Sequence, residues 1–159
     1  MKPTIRSITV LFGGIVLSVV VSATLDHMLM PSGGKLIVQY MSPQSGSSDE
    51  LRLWGELRRS GYIATYLVGP LTGFAVGIFV GILQKNGAAA LAAIALVPDF
   101  LYGFLTDRYK GWSHSAVGIL TYIFHRSLPF IAAMLAAALF CRLMVDRYAA
   151  RLVTPASSG

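Results

Sequence analysis

Charge is scarce in this sequence. Only 13% of its 159 residues are Asp, Glu, Lys or Arg, whereas 55% are hydrophobic. In a water-soluble domain, roughly a quarter of the residues are charged. The composition therefore excludes an ordinary soluble domain and indicates a single domain, residues 1–159, that is solvated by the lipid bilayer.

Cysteine and catalytic motifs are also scarce. Cys141 is the single cysteine, which excludes an internal disulfide. The sequence lacks a glycine-rich phosphate loop, a Gly-x-Ser-x-Gly elbow, a His-Glu-x-x-His pair and a Cys-x-x-Cys pair. The net charge of +6 is spread over the polar segments without a basic run, which favours anionic lipid headgroups over nucleic acid as its partner. Nothing in the sequence positively predicts an enzyme.

Long apolar runs, in contrast, are abundant. A helix of about 20 apolar residues crosses a hydrocarbon core of about 30 Å. The sequence therefore predicts an all-α fold, an integral membrane bundle of four transmembrane helices. The predicted spans are residues 8–25, 62–83, 88–105 and 127–145. A cleavable leader is the alternative for the first span, but its apolar run is long for a leader and favours a retained helix.

Two shorter helices are predicted outside these spans. Residues 49–60 place Trp54 and several leucines at helical spacing, which is typical of a helix in the membrane interface; an extension of the second span fits equally well. Residues 116–124 are apolar but too few to span, and they predict a short re-entrant or surface helix. Pro129 then falls in the first turn of the last span, where proline is tolerated.

Small residues form regular stripes on the predicted spans. Four glycines recur at four-residue intervals in the second span and form what we call the glycine ridge: Gly69, Gly73, Gly77 and Gly81. A ridge without side chains lets another backbone approach closely. The last span carries an alanine stripe that includes Ala133 and Ala137. We expect these residues to pack helices together, against another helix of this chain or against a second copy.

Polar residues gather at the predicted membrane level opposite the termini. The candidates for a polar or ligand cluster are Asp26, His27, Asp99, His114 and His125. Histidine with carboxylate can bind a metal ion, and a lone histidine can hold a haem or chlorin. Solvation at the interface is the alternative for the residues near helix ends. No ligand pair has a metal-binding spacing, so the metal and any cofactor remain unknown.

Asp99 differs from the other candidates because it follows Pro98 within an apolar run. A carboxylate at membrane depth is costly to solvate, which favours a functional role or a buried pair with Arg108 or Arg126. Arg58 and Arg59 precede the second span and are candidates for binding lipid headgroups, and anchoring of the helix at the interface explains them as well.

The first half of the chain resembles a group of uncharacterised small bacterial membrane proteins with four helices. The shared features are a first helix that ends Ser-Ala-Thr-Leu-Asp at residues 22–26, and a glycine-rich second helix that begins Tyr62-x-x-x-Tyr66-x-x-Gly69. The resemblance covers less than half of the chain and implies only the architecture and a bacterial source. We expect an inner-membrane protein with both termini in the cytoplasm, because the rule that positive loops stay inside gives most weight to short loops.

Three functions are compatible with these features. The first is a non-catalytic accessory or structural subunit that packs through its small-residue faces in a membrane complex or homo-oligomer. Its partners would be other membrane helices and the bilayer. The second is a small transporter, channel or proton-linked membrane enzyme centred on Asp99. The third is a cofactor-holding subunit of an electron-transfer or photosynthetic complex.

Overall fold

A computed structural model of the chain describes residues 3–29, 55–56, 58–106 and 116–153. Within these ranges the chain forms four helices and no strand. The helices are α1, Pro3–Leu29; α2, Arg58–Leu83; α3, Ala88–Thr106; and α4, Ala116–Val153. The predicted all-α class is therefore confirmed.

Three of the helices contain segments long and apolar enough to cross a membrane. These segments are Ile5–Leu29, Arg58–Leu83 and Ile123–Arg147. In α3 the apolar segment is shorter, Ala88–Leu101. The structure thus supports transmembrane helices and an integral membrane protein, with three candidate spans among the described residues.

The start of α4 corrects a prediction. The separate short helix over 116–124 does not exist as an element of its own, because one helix of 38 residues runs through Ala116–Val153. Pro129 lies inside this helix rather than at its start. The ring removes one backbone hydrogen bond at this position, and the Ser127 hydroxyl donates to the carbonyl of Phe124 at 2.6 Å. Burial of Ala133, Ala136 and Ala137 after the proline offsets that single loss.

The other helix ends also differ from the predicted span limits. Asp26 and His27 lie in the last turns of α1, as expected of residues that close the first helix, but the helix continues to Leu29. Residues 58–60 belong to α2, as expected if the predicted helix 49–60 extends the second span. Residues 49–54 and 57 of that predicted helix lie outside the described residues.

A π-helical turn interrupts the first half of α2. It spans Ala64–Val68, and the amide of Gly69 donates to the carbonyl of Ala64, five residues earlier. Pro70 has no amide hydrogen and cannot form the usual bond to Tyr66. The wider turn shifts the helix register by one residue just before this proline. A regular α-helix, Gly69–Leu83, follows.

The glycine ridge lies against α4 of the same chain. A Cβ atom built on Gly73 would overlap the carbonyl oxygen of Pro129, and one on Gly77 would overlap that of Ala133. On Gly81 a Cβ would lie 2.6 Å from a carbonyl oxygen of α4. The two helices run in the same direction, and their backbones meet because no side chain separates them.

On its other side, α2 packs against α1 and α3 around one close contact. A Cβ built on Gly14 of α1 would lie 3.0 Å from Cβ of Ala95 in α3 and 3.7 Å from Val76 in α2. We call this the Gly14 contact. The core around it is apolar: Val10, Val76, Val80, Ala88, Ala92, Ala95, Leu96, Ala133 and Ala137. Small residues on all four helices allow this close packing.

Polar contacts close the end of the molecule near the amino terminus. The Arg6 guanidinium donates to the carbonyl of Leu83, the last residue of α2. A cation at this position also interacts favourably with the helix dipole. The side-chain amide of Gln84 donates from Nε2 to the Ser7 hydroxyl at 3.0 Å. These bonds hold the start of α1 beside the end of α2, so the two helices are antiparallel. Asp26, near the end of α1, lies at the opposite end of the molecule.

Candidate functional site

Three charged side chains from three helices meet at the opposite end. Asp26 comes from α1, Asp99 from α3 and Arg126 from α4, and each is half-buried. The charges of Asp99 and Arg126 both act on Asp26, and the charge of Arg126 acts on Asp99. We call these three residues the charged cluster. Two of the predicted candidates are thus brought together, with Arg126 as the arginine beside Asp99.

Helical spacing places Asp26 on the interior face of α1. Gly14, Ser18, Ser22 and Asp26 recur at four-residue intervals and share one side of the helix. Gly14 and Ser18 are buried, and Ser22 and Asp26 are half-buried. The face therefore changes from apolar near Gly14 to polar toward the charged cluster.

The carboxylate of Asp26 is incompletely satisfied within the described part of the chain. Its Oδ1 atom is buried and has no hydrogen-bond partner there. A buried carboxylate oxygen without a partner is costly. The cluster also holds two carboxylates against one guanidinium, so with both carboxylates ionised the three described groups would carry one excess negative charge. An additional positive group could both bond to Oδ1 of Asp26 and balance the charge of the second carboxylate.

Two buried hydroxyls lie deeper between the helices, and sequence reasoning missed both. Ser18 is 0% exposed and donates to the carbonyl of Ile15 at 2.8 Å. Thr72 is 2% exposed, and its Oγ1 has no hydrogen-bond partner among the described residues. The four-residue series on α1 contained a signal for Ser18. Nothing comparable distinguished Thr72 from other threonines of the membrane segments.

Tyr66 and His125 form a second polar pair at the same end. The Tyr66 hydroxyl lies 2.7 Å from Nε2 of His125, a hydrogen bond between the π-turn of α2 and α4. Tyr62 stacks on Tyr66 with ring centroids 5.9 Å apart. Since His125 precedes Arg126, this pair holds α4 beside the charged cluster. All four helices therefore contribute a polar side chain to this end.

We expect Tyr66→Phe to lower the free energy of unfolding by about 0.5–1.5 kcal/mol, because one hydrogen bond between helices is lost. Thermal unfolding of the purified protein in detergent measures the change. Tyr62→Phe is the matched control, since the Tyr62 hydroxyl makes no hydrogen bond to the described residues. Equal unfolding temperatures for the two variants would show that the bond to His125 contributes nothing.

The other predicted candidates do not join a common site. His27 is exposed on α1, whereas His125 bonds to Tyr66. His114 and Arg108 lie outside the described residues. No group of three or more His, Cys, Asp or Glu side chains that could hold a metal ion occurs in the described ranges. Arg58 and Arg59 are exposed at the start of α2, where lipid headgroups could be reached.

No protein-family model, curated protein or solved structure matches this chain at a significant level.

Proposed function

We propose that this chain is a small transporter or channel for a monovalent cation, either a proton or a metal ion, with the charged cluster as its binding site. The observation that carries the proposal is the meeting of Asp26, Asp99 and Arg126 from three helices. Ionisable side chains within membrane segments are expensive, and they typically mark ion or proton pathways.

The charge balance of the cluster supports a cation as the ligand. Removing a single uncompensated charge from water costs several kcal/mol. Uptake of one proton or one monovalent metal ion would make the group of two carboxylates and one guanidinium neutral. Release would restore the excess negative charge, which water at the end of the helices can solvate. A neutral loaded state and a charged empty state favour alternation between binding and release.

In this proposal the four helices form a bundle across a bacterial inner membrane with both termini in the cytoplasm. The charged cluster then lies toward the opposite side, because α1 and α3 end near it. Exposed leucine, isoleucine, valine and phenylalanine side chains along α1 and α4 would face lipid.

The accessory-subunit hypothesis loses its main argument. It rested on small-residue faces beyond what one bundle needs, but the glycine ridge and the buried alanines pack within the chain itself. The native mass of the protein, gently extracted from its membrane, tests this hypothesis directly.

The cofactor hypothesis has no ligand set to support it among the described residues. His27 is exposed, and His125 is already hydrogen-bonded to Tyr66.

The proposal is tested by ion flux in liposomes that contain the purified protein and dyes sensitive to protons or to sodium. A membrane potential imposed with valinomycin provides the driving force. We expect Asp99→Asn to reduce the flux to the rate of protein-free liposomes, because the variant cluster is neutral without a cation. Abundance and helix content should stay unchanged.

Asp146→Asn is the matched control, since Asp146 is an exposed carboxylate of α4. It removes the same charge elsewhere and should conduct like the wild type. The proposal is wrong if the wild type shows neither proton nor sodium flux, or if Asp99→Asn conducts as well as Asp146→Asn.

A further inference from the structure

The end of the molecule opposite the charged cluster is assembled around one short turn, residues 84–87, which joins α2 to α3. From α1, the Arg6 guanidinium donates to the carbonyl of Leu83, just before the turn. From α4, Cys141 donates from Sγ to the carbonyl of Lys85 within the turn, at 3.1 Å. The start of α1 and the last third of α4 therefore both contact the chain at this turn.

Positive side chains predominate at this end. Arg6 and Lys85 are exposed, and so are the charged residues that follow Cys141 on α4, which are Arg142, Asp146 and Arg147. Among the described side chains at this end, four thus carry a positive charge and one a negative charge. The bond from Arg6 engages a neutral carbonyl, so it does not neutralise the guanidinium. An anion is the ligand that this balance of charge favours.

Exposed apolar side chains accompany these cations. Each lies within three positions of Arg6, Lys85 or Arg142 in the sequence. They are Ile5 and Ile8 of α1, Ile82 and Leu83 of α2, and Leu139 and Leu143 of α4. A free phosphate or a nucleic acid would use the cations alone. An anionic phospholipid would use both features, because its phosphate meets the cations while its acyl chains cover the apolar side chains.

We propose that Arg6 and Lys85 bind the phosphate of an anionic phospholipid whose acyl chains lie along the exposed apolar side chains of the adjoining helices. Guanidinium and ammonium groups are common phosphate ligands in proteins. The bound headgroup links the start of α1 to the turn between α2 and α3, so lipid binding stabilises the packing of these helices. This inference does not depend on the proposed cation transport.

The test is thermal unfolding of the delipidated full chain in a non-ionic detergent. Short-chain phosphatidylglycerol, short-chain phosphatidylcholine or inorganic phosphate is added at matched concentrations. A ligand that binds only the folded protein raises the unfolding temperature in a saturable way. We expect this rise with phosphatidylglycerol alone, since phosphatidylcholine has no net negative charge and inorganic phosphate has no acyl chains.

Lys85→Gln is the first variant, because it removes the ammonium group and leaves the carbonyl that accepts from Cys141. Its half-saturating concentration of phosphatidylglycerol should be about three- to tenfold higher than that of the wild type. Arg6→Gln should raise this concentration similarly, whatever the lost bond to Leu83 does to the unfolding temperature without lipid.

Arg58→Gln is the matched control. It removes an exposed positive charge from the start of α2, at the other end of the molecule, and should bind phosphatidylglycerol like the wild type. Equal weakening by Arg58→Gln and Lys85→Gln would overturn the inference, because binding would then follow the net charge rather than this end. Equal stabilisation by both phospholipids would contradict an anion site, and equal stabilisation by inorganic phosphate would contradict a lipid as its ligand.

Discussion

A single methyl group on Gly73 is expected to destabilise the protein by more than about 3 kcal/mol, at the upper end of the range for overpacked cores. The methyl carbon of Gly73→Ala would overlap the carbonyl oxygen of Pro129, which is backbone and cannot rotate away. α2 and α4 would have to separate along their shared length. Thermal or denaturant unfolding in detergent measures the loss.

Gly61→Ala is the control for this substitution. Gly61 is also helical, but a Cβ built there meets nothing within 4 Å. Because alanine is the better helix former, this variant should be unchanged or more stable by up to about 1 kcal/mol. If both variants unfold at the same temperature, α2 and α4 do not meet through the glycine ridge.

Removal of Arg126 from the charged cluster should also lower the free energy of unfolding strongly, as Gly73→Ala does. In Arg126→Met two half-buried carboxylates face each other without their cation. Breaking a fully buried ion pair typically costs about 3–5 kcal/mol, and the half-buried positions of these groups make this range an upper limit. Arg142→Met removes an exposed arginine from the same helix and should change stability by less than about 1 kcal/mol.

A double variant separates the charge effect from lost packing. Asp99→Asn in the Arg126→Met background removes one of the two facing carboxylates and should restore much of the lost stability, so that the effects are not additive. Additive effects would mean that Asp99 and Arg126 do not interact. An Arg126→Met variant as stable as Arg142→Met would show that the guanidinium does not balance the carboxylates.

The structure changes the meaning of the small-residue stripes. From the sequence, the glycine ridge could have bound a second copy or another protein. In the fold it meets α4, and the alanines of α3 and α4 line the same core. A variant such as Gly73→Ala therefore tests folding of the single chain, whereas assembly with partners has to be examined by native mass.

Parts of the candidate site could be predicted from the sequence, and other parts could not. Asp99 stands out because a carboxylate in an apolar run is rare. Asp26 was one of several polar candidates near helix ends, and Arg126 was one of two arginines within reach. Thr72 does not stand out, since most hydroxyls in helices bond to their own backbone, as Thr24 does. Its burial depends on how the helices pack, which the sequence alone does not give.

The pair formed by Tyr66 and His125 is another feature that required the fold. The two residues are 59 positions apart, and the π-turn of α2 sets the direction of Tyr66. The long α4 was missed for a local reason. Pro129 was interpreted as a helix start, although a single missing hydrogen bond is tolerated inside a well-packed helix.

By itself the sequence determined the helical class, the apolar segments and the close packing of small residues. Hydropathy and residue size are local properties, and a bilayer leaves little choice but helices for long apolar runs. Only the tertiary structure decided which faces meet. Several apolar faces compete to pack, and in the fold the glycine ridge lies against backbone carbonyls of α4. That choice of partner brings Asp26, Asp99 and Arg126 together.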